Sequence, residues 1–279
     1  MRKIFILILI ALFIQPNVYA LTNNKEEKNM TRAEICEKNF QELFKTKALT
    51  NTGDDPEMMA ILQKYIFGEV FTVGELTIKQ REMITVTSLT VQQTLPQLKA
   101  HLNAALNVGV TPIELREIIY QCAPFIGFPK TLNGLSVLNE VLKDRGEQLP
   151  LKTCGTVQEN ERYTKGFAIQ NPIYSDEIEK LLSGLPKNMG HDVSRFLTEF
   201  CFGDFYTRKG LDIKTRELLI ISILVTTGDT NTLKSHIKGN LKVGNTKEEI
   251  TASIIQCLPY VGFPNTISAL STLKDVLAE

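Results

Sequence analysis

Residues 98–111 read LKAHLNAALNVGVT, and residues 233–246 read LKSHIKGNLKVGNT. The second stretch is the first displaced by 135 positions, and the likeness runs outward from both. Residues 65–144 and 200–279 align without a gap and are identical at 30 of 80 positions. Phe67-Gly68 repeats as Phe202-Gly203, Lys79-x-Arg81-Glu82 as Lys214-x-Arg216-Glu217, Gln121-Cys122-x-Pro124 as Gln256-Cys257-x-Pro259, and Gly127-Phe128-Pro129 as Gly262-Phe263-Pro264. A period this long marks a duplicated domain rather than a solenoid. Gly146, Pro150, Gly155 and the polar residues around them read as the join. The expected division is a leader at 1–20, a first domain at 21–148, a linker at 149–160 and a second domain at 161–279.

Within each copy the punctuation is helical. Thr31-x-x-Glu34 is a capping box ahead of an amphipathic run to about Ala48. Asp55-Pro56 opens a helix to about Phe71. A helix over 79–93 buries Met83, Ile84, Val86 and Leu89. Its twin over 214–227 is almost wholly apolar and is expected at the centre of its copy; its β-branched content leaves a buried strand open there. Helix 96–108 stops at Gly109, and Thr111-Pro112-x-Glu114 restarts the chain, as Thr246-x-x-Glu249 does later. The Gly-Phe-Pro turn ends that helix, and a last helix follows over 130–145 or 265–278. No hairpin signal interrupts the series, so the expected class is all-α, two tandem helical domains.

Arg2 and Lys3, the apolar run Ile4–Ile14 and the small-residue site Val18-Tyr19-Ala20 read as a cleaved signal peptide with an expected mature start at Leu21, an uncleaved N-terminal anchor being the alternative. The run of eleven is too short for a membrane span of ~20 residues. The expected location is therefore outside the cytoplasm, periplasmic or secreted, with no membrane partner after cleavage. A formal net charge of zero gives no electrostatic footprint for nucleic acid. The five cysteines, Cys36, Cys122, Cys154, Cys201 and Cys257, are an odd number in a compartment that permits disulfides, and their pairing stays open.

The ordered set of motifs (Arg-Glu opening a buried helix, L-K-x-H-x-x-x-x-L-x-V-G-x-T, then Q-C-x-P-[FY]-[IV]-G-F-P), present twice, resembles the carboxymuconolactone decarboxylase family and its alkylhydroperoxidase-D relatives. The resemblance implies an all-helical subunit. It also implies an assembly in which three tandem chains stand for three subunit pairs, a homotrimer of this chain. It makes His101 and His236 active-site residues and Glu82 and Glu217 their proton-relay partners. By residue chemistry, imidazole suits proton transfer near neutral pH. A straight hairpin, however, offsets Glu82 from His101 by ~8 Å along the helix axis.

Arg81 and Arg216 are candidates for a bidentate carboxylate clamp. Gln121 and Gln256 are candidate donors to a substrate carbonyl, at a place where decarboxylase-like members often carry histidine. Phe128 and Phe263 are candidate cavity walls. His191 has no twin, since Pro56 stands at its place. The peroxidase-type relatives carry C-x-x-C ahead of the histidine. Here those places hold Thr94 and Gln97, and Asp229 and Thr232, so dithiol chemistry lacks its thiols. Cys122 and Cys257 remain as lone redox candidates or small buried hydrophobes. No metal-ligand spacing exists. Three functions stay open: cofactor-free acid–base decarboxylation or lactone chemistry on a small organic acid, which leads; a one-cysteine peroxidase; and a non-catalytic oligomeric binding protein.

Overall fold

The computed structural model describes residues 30–48 and 51–279; the expected leader at 1–20 lies outside them. Every regular element among the described residues is helical. In the first copy, α1 (Arg32–Phe44) starts on the Thr31–Glu34 capping box and ends where Lys45 turns left-handed, φ 56°, earlier than the apolar run suggested. Helix α2 (Pro56–Gly68) begins on proline, with no side-chain cap from Asp55, and passes into a 3₁₀ turn at Val70–Thr72. Helix α3 (Ile78–Gln92) is capped reciprocally by Thr77 and Gln80. Helix α4 (Leu95–Asn107) closes on Gly109, φ 86°, with the Gly109 amide donating to Leu106 and the Val110 amide to Ala105, the two bonds of a Schellman ending. Helices α5 (Pro112–Tyr120), α6 (Ala123–Ile126) and α7 (Phe128–Asp144) complete the copy.

Residues 151–158 carry no helix but are tied down. Arg116 donates to the Leu151 carbonyl and Thr156 to that of Thr207. The second copy follows with α8 (Arg162–Tyr174), α9 (Glu177–Leu181), and α10 (Met189–Phe196), which runs into a π-helix over Leu197–Tyr206. Then come α11 (Ile213–Thr227), α12 (Thr230–Lys242), α13 (Lys247–Gln256) and α14 (Leu258–Ala278), the last broken at Gly262, φ 80°.

The segment left open between strand and helix is α11, capped by Asp212 and ended by Gly228 at φ 74°. Residues 216–225 are all buried, as are 81–91 of α3. A helix covered on every side needs apolar residues on every side, so β-branched content marks depth here rather than strand. Helices α3 and α11 pack on each other. One continuous core takes in Ile84, Leu102 and Leu142 of the first copy with Leu219, Ile237 and Leu273 of the second. A smaller cluster, Cys36, Leu43, Ile66, Phe67, Phe71 and Ala104 with Phe40 and Phe44 against it, caps the first copy alone.

Candidate active site

In the first copy, His101 on α4 places Nδ1 2.9 Å from Oε2 of Glu82 on α3. The axial offset expected from the sequence is a distance between backbone levels, and the two side chains span it. Both residues are buried. Around the imidazole stand the rings of Phe44 at 5.6 Å, Phe67 at 6.5 Å and, from the second copy, Tyr260 at 6.0 Å. The other carboxylate oxygen of Glu82, Oε1, has no hydrogen-bond partner.

The second copy repeats the pair and adds to it. His236 Nδ1 lies 3.1 Å from Glu217 Oε2, and the Tyr174 hydroxyl sits between them, 2.6 Å from Oε2 and 2.7 Å from Nδ1. Tyr206 donates to Oε1 of Glu217 at 2.6 Å, so both carboxylate oxygens are held. Burial, and then the charge of Glu217, push both phenols well above the usual tyrosine range, so each remains a proton donor. Beside this network lies a cavity of about 540 Å³, within the range of small-molecule sites. His236, Tyr174 and Tyr206 line it, and Phe125 of the first copy closes one side, its ring 5.7 Å from the imidazole. Asp229, Asn231, Thr232 and Ser235 supply polar lining. Hydrogen bonds from Thr232, side chain and then backbone, hold Asp229 below the usual carboxylate range.

Position-by-position equivalence explains the difference. Arg32 and Arg162 both pair with an acid, Glu69 and Asp204, and both have their carbonyl against a glycine, Gly68 and Gly203. Ahead of the ungapped stretch the copies are therefore related by 130 positions, not 135. On that register Tyr174 corresponds to Phe44 and Gln170 to Phe40; on the other, Tyr206 corresponds to Phe71, Cys201 to Ile66 and Thr227 to Gln92. The first copy lacks both phenol donors. At the corresponding positions stand Phe40, 4.6 Å from Phe44, Ile66, and Gln92, which donates to the Tyr260 carbonyl. The π-helix completes the contrast. With i→i+5 bonding, residues four or five apart share a face, and Leu197, Cys201, Phe202 and Tyr206 all line the cavity.

The model of the carboxymuconolactone decarboxylase family matches this sequence twice, over residues 56–140 and 191–275, more than half of the chain. The chain belongs to the carboxymuconolactone decarboxylase family. Among its relatives, 4-carboxymuconolactone decarboxylase of Acinetobacter baylyi is 25% identical over 124 residues, 44% of this chain and 92% of that one. Nitrosuccinic acid decarboxylase of Metarhizium robertsii is 27% identical over 84 residues, 30% of this chain and 59% of that one. A solved structure from Burkholderia xenovorans, described as a gamma-carboxymuconolactone decarboxylase subunit, superposes with a TM-score of 0.51 at 21% identity. It covers 87% of this chain and 96% of that one, so the likeness of fold takes in both copies.

In this carboxymuconolactone decarboxylase-family chain the remaining sequence candidates lie away from the cavity. Arg81, pulled down to about 10 by burial, donates to the carbonyls of Leu76, Val70, Val73 and Gly74 and to Gln256 Oε1 at 3.1 Å. Arg216 donates to the Arg208 carbonyl, to Gln121 Oε1 at 3.3 Å and to Glu117 Oε2 at 3.4 Å. The expected substrate clamp at Arg81, Arg216, Gln121 and Gln256 is thus corrected: these side chains tie one copy to the other. Phe128 and Phe263 are corrected too, at 54% and 61% exposed. The ring that meets each histidine comes three positions earlier, Phe125 or Tyr260, because Gly127 and Gly262 turn the chain outward after it. Cys122 and Cys257 are fully buried, and burial pushes their thiols up to about 12 and about 11. Like Cys36, Cys154 and Cys201, they are free thiols.

Proposed function

We propose that the second copy is a cofactor-free acid–base site that decarboxylates, or acts on the lactone of, a small organic acid, with His236 as the proton carrier and the first copy as scaffold. The observation that supports it is His236 at the cavity, its Nδ1 on a Glu217 whose two oxygens are fixed by Tyr174 and Tyr206. A carboxylate on Nδ1 fixes the tautomer and ring orientation and leaves Nε2 for the ligand. In decarboxylation the C–C bond to the carboxylate breaks and CO₂ leaves. The electron pair stays on the substrate, delocalised into an adjacent carbonyl, and the imidazolium form of His236, its Nδ1–H kept on Glu217, gives its Nε2 proton to the carbon that bore the carboxylate; a proton from solvent then restores the imidazolium. The family membership and its two named decarboxylases support the reaction class.

The test is CO₂ release from a panel of small keto and lactone acids that begins with 4-carboxymuconolactone. His236→Gln should lower turnover by about 10²–10⁴-fold, the usual worth of a general acid–base group. His101→Gln should change it by no more than a few-fold. Undiminished turnover in His236→Gln rejects the reading.

The peroxidase alternative needs a thiolate. A thiol reagent at neutral pH should label none of the cysteines until the chain is unfolded, and fast labelling of Cys122 or Cys257 in the native protein would reopen it. Export from the Arg2–Ala20 leader and assembly into a trimer are part of the same proposal. Intact mass of the mature protein should begin at Leu21, and light scattering should give three chains.

A further inference from the structure

The cavity of the second copy lies against a segment that the first copy does not match in length. From Tyr174 to Cys201 the chain is five residues longer than from Phe44 to Ile66, the difference between the registers of 130 and 135. Within that stretch, Glu177, Ile178 and Leu181 of α9 line the cavity. Ile178 is the one residue of α9 that is partly buried; Leu181 is 75% exposed, and Leu185 beyond it 47%. Two leucines standing in water at the edge of an apolar wall would be better placed over a ligand. What holds α9 down is slight. Ile178 faces the cavity, the Leu182 carbonyl rests on Gly190, where a Cβ would come within 2.0 Å, and Glu179 lies 3.6 Å from Nδ1 of His191, the histidine without a twin, both side chains more than half exposed. The flanks are fixed. Tyr174 holds its two hydrogen bonds, the Ile173 carbonyl accepts from Lys242, and Gly190 and Ser194 of α10 are buried. Between them the backbone turns at Ser175, φ 52° and ψ −139°, and at Lys187 and Asn188, φ 53° and 60°. These are half of the non-glycine residues at positive φ among the described residues, so the strain of the backbone gathers at the two ends of this segment.

We propose that residues 175–188 form a lid, hinged at Ser175 and at Lys187–Asn188, which swings away to admit a ligand and comes down on it with Ile178 and Leu181 closing the apolar wall. A lowered lid keeps water from the substrate while His236 delivers its proton. The strain at Ser175 belongs to the lowered position, since φ 52° with ψ −139° suits glycine and resists a side chain. With so little else holding α9, the free chain samples both positions. The inference rests on the reading of the His236 cavity as the site and adds how that site is entered and sealed.

The distance between two spin labels on the full chain tests it, one on Lys165→Cys of α8 and one on Lys180→Cys of the lid, both exposed positions, while the native cysteines are buried and stay unlabelled. The free chain should give a distance that fits the structure together with a second one. Ser175→Gly should lower the share of the second on the order of tenfold, and Ser175→Val should raise it by as much. Ile178→Asp, which puts a charge in the apolar wall, should raise it too. Saturation with 4-carboxymuconolactone should draw the chain to the first distance. A distribution that is the same in all three variants as in the native sequence, or that shifts the opposite way at Ser175, would overturn the lid. So would binding of that acid, seen as heat, with no change of distance. None of these readings uses turnover, so failure of the catalytic reading shows separately, as turnover that survives His236→Gln.

Discussion

Gly239 faces Tyr174 so closely that a Cβ there would lie 2.6 Å from the phenol oxygen. The corresponding positions of the first copy are Ala104 and Phe44, members of one aromatic cluster. A hydroxyl and a missing methyl go together, as do their opposites. Gly239→Ala should therefore displace the Tyr174 hydroxyl from Glu217. The lost bond to a charged group, ~1.5–3 kcal/mol, outweighs the helix-propensity gain of ~1 kcal/mol. Adding Tyr174→Phe should recover part of the stability, since no hydroxyl then needs room, while turnover stays low. A double-mutant cycle reads this directly, and simple additivity of the two changes would dismiss the pairing. The converse applies at Glu82, whose Oε1 is orphaned where Tyr206 serves Glu217. Phe71→Tyr should raise the urea midpoint by an amount equivalent to about 1 kcal/mol. A lowered midpoint would mean that the new hydroxyl misses that oxygen.

The π-helix over Leu197–Tyr206 is held by backbone contact with α8: a Cβ at Gly203 would meet the Arg162 carbonyl oxygen at 2.6 Å, and one at Gly166 the Thr198 carbonyl oxygen at 2.2 Å. Neither neighbour can yield without moving a helix. Gly203→Ala should cost ~1–3 kcal/mol and, because Tyr174 ends α8, should also depress turnover from outside the cavity. Gly68→Ala makes the same clash with Arg32 in the first copy, and should cost stability while sparing turnover; equal loss of activity in both variants would remove the division between the copies. Of these elements, the capped ones were legible in the sequence. Thr31, Thr111, Thr246 and Gly109 mark ends that the chain obeys, because a cap is a local bond between residues a fixed few positions apart. The π-helix was not, since LTEFCFGDFY differs little in apolar pattern from LQKYIFGEVF, its α-helical and 3₁₀ counterpart. The site divides in the same way. His101, His236, Glu82 and Glu217 stood out because both copies keep them. Tyr206 was hidden because a search for identities discards a Phe71 that became tyrosine, and Tyr174 lies beyond the ungapped stretch, in the part of the repeat shifted by five residues.

At the scale of the molecule the two copies do not have separate interiors, since one cluster of buried side chains runs through both. The copies are also joined by charge. Glu117 of the first copy, fully buried, pairs with Arg208 of the second at 2.8 Å and with the equally buried Arg216 at 3.4 Å, as well as with its neighbour Arg116 at 3.1 Å. The related place in the second copy is Ala252, where a Cβ on Gly74 would come within 2.8 Å, so that side of the joint lacks this carboxylate and is closed by packing and by hydrogen bonds such as that from Arg81 to Gln256. Burial pulls the Arg216 guanidinium down and Glu117 holds it up. Glu117→Ala leaves that cation buried with carbonyl and amide partners but no counter-charge, a change that costs about 3–5 kcal/mol in comparable buried pairs. Glu117→Gln, which keeps the shape and one acceptor, should cost less. Against a total stability of ~5–15 kcal/mol, the alanine variant should melt many degrees lower. Because the core is shared, calorimetry should record one transition, displaced as a whole, in the native chain and in the variant. Two transitions, of which only one moves with Glu117, would mean that the halves fold as independent units. Neither histidine would then depend on the aromatic ring that the other half lends it.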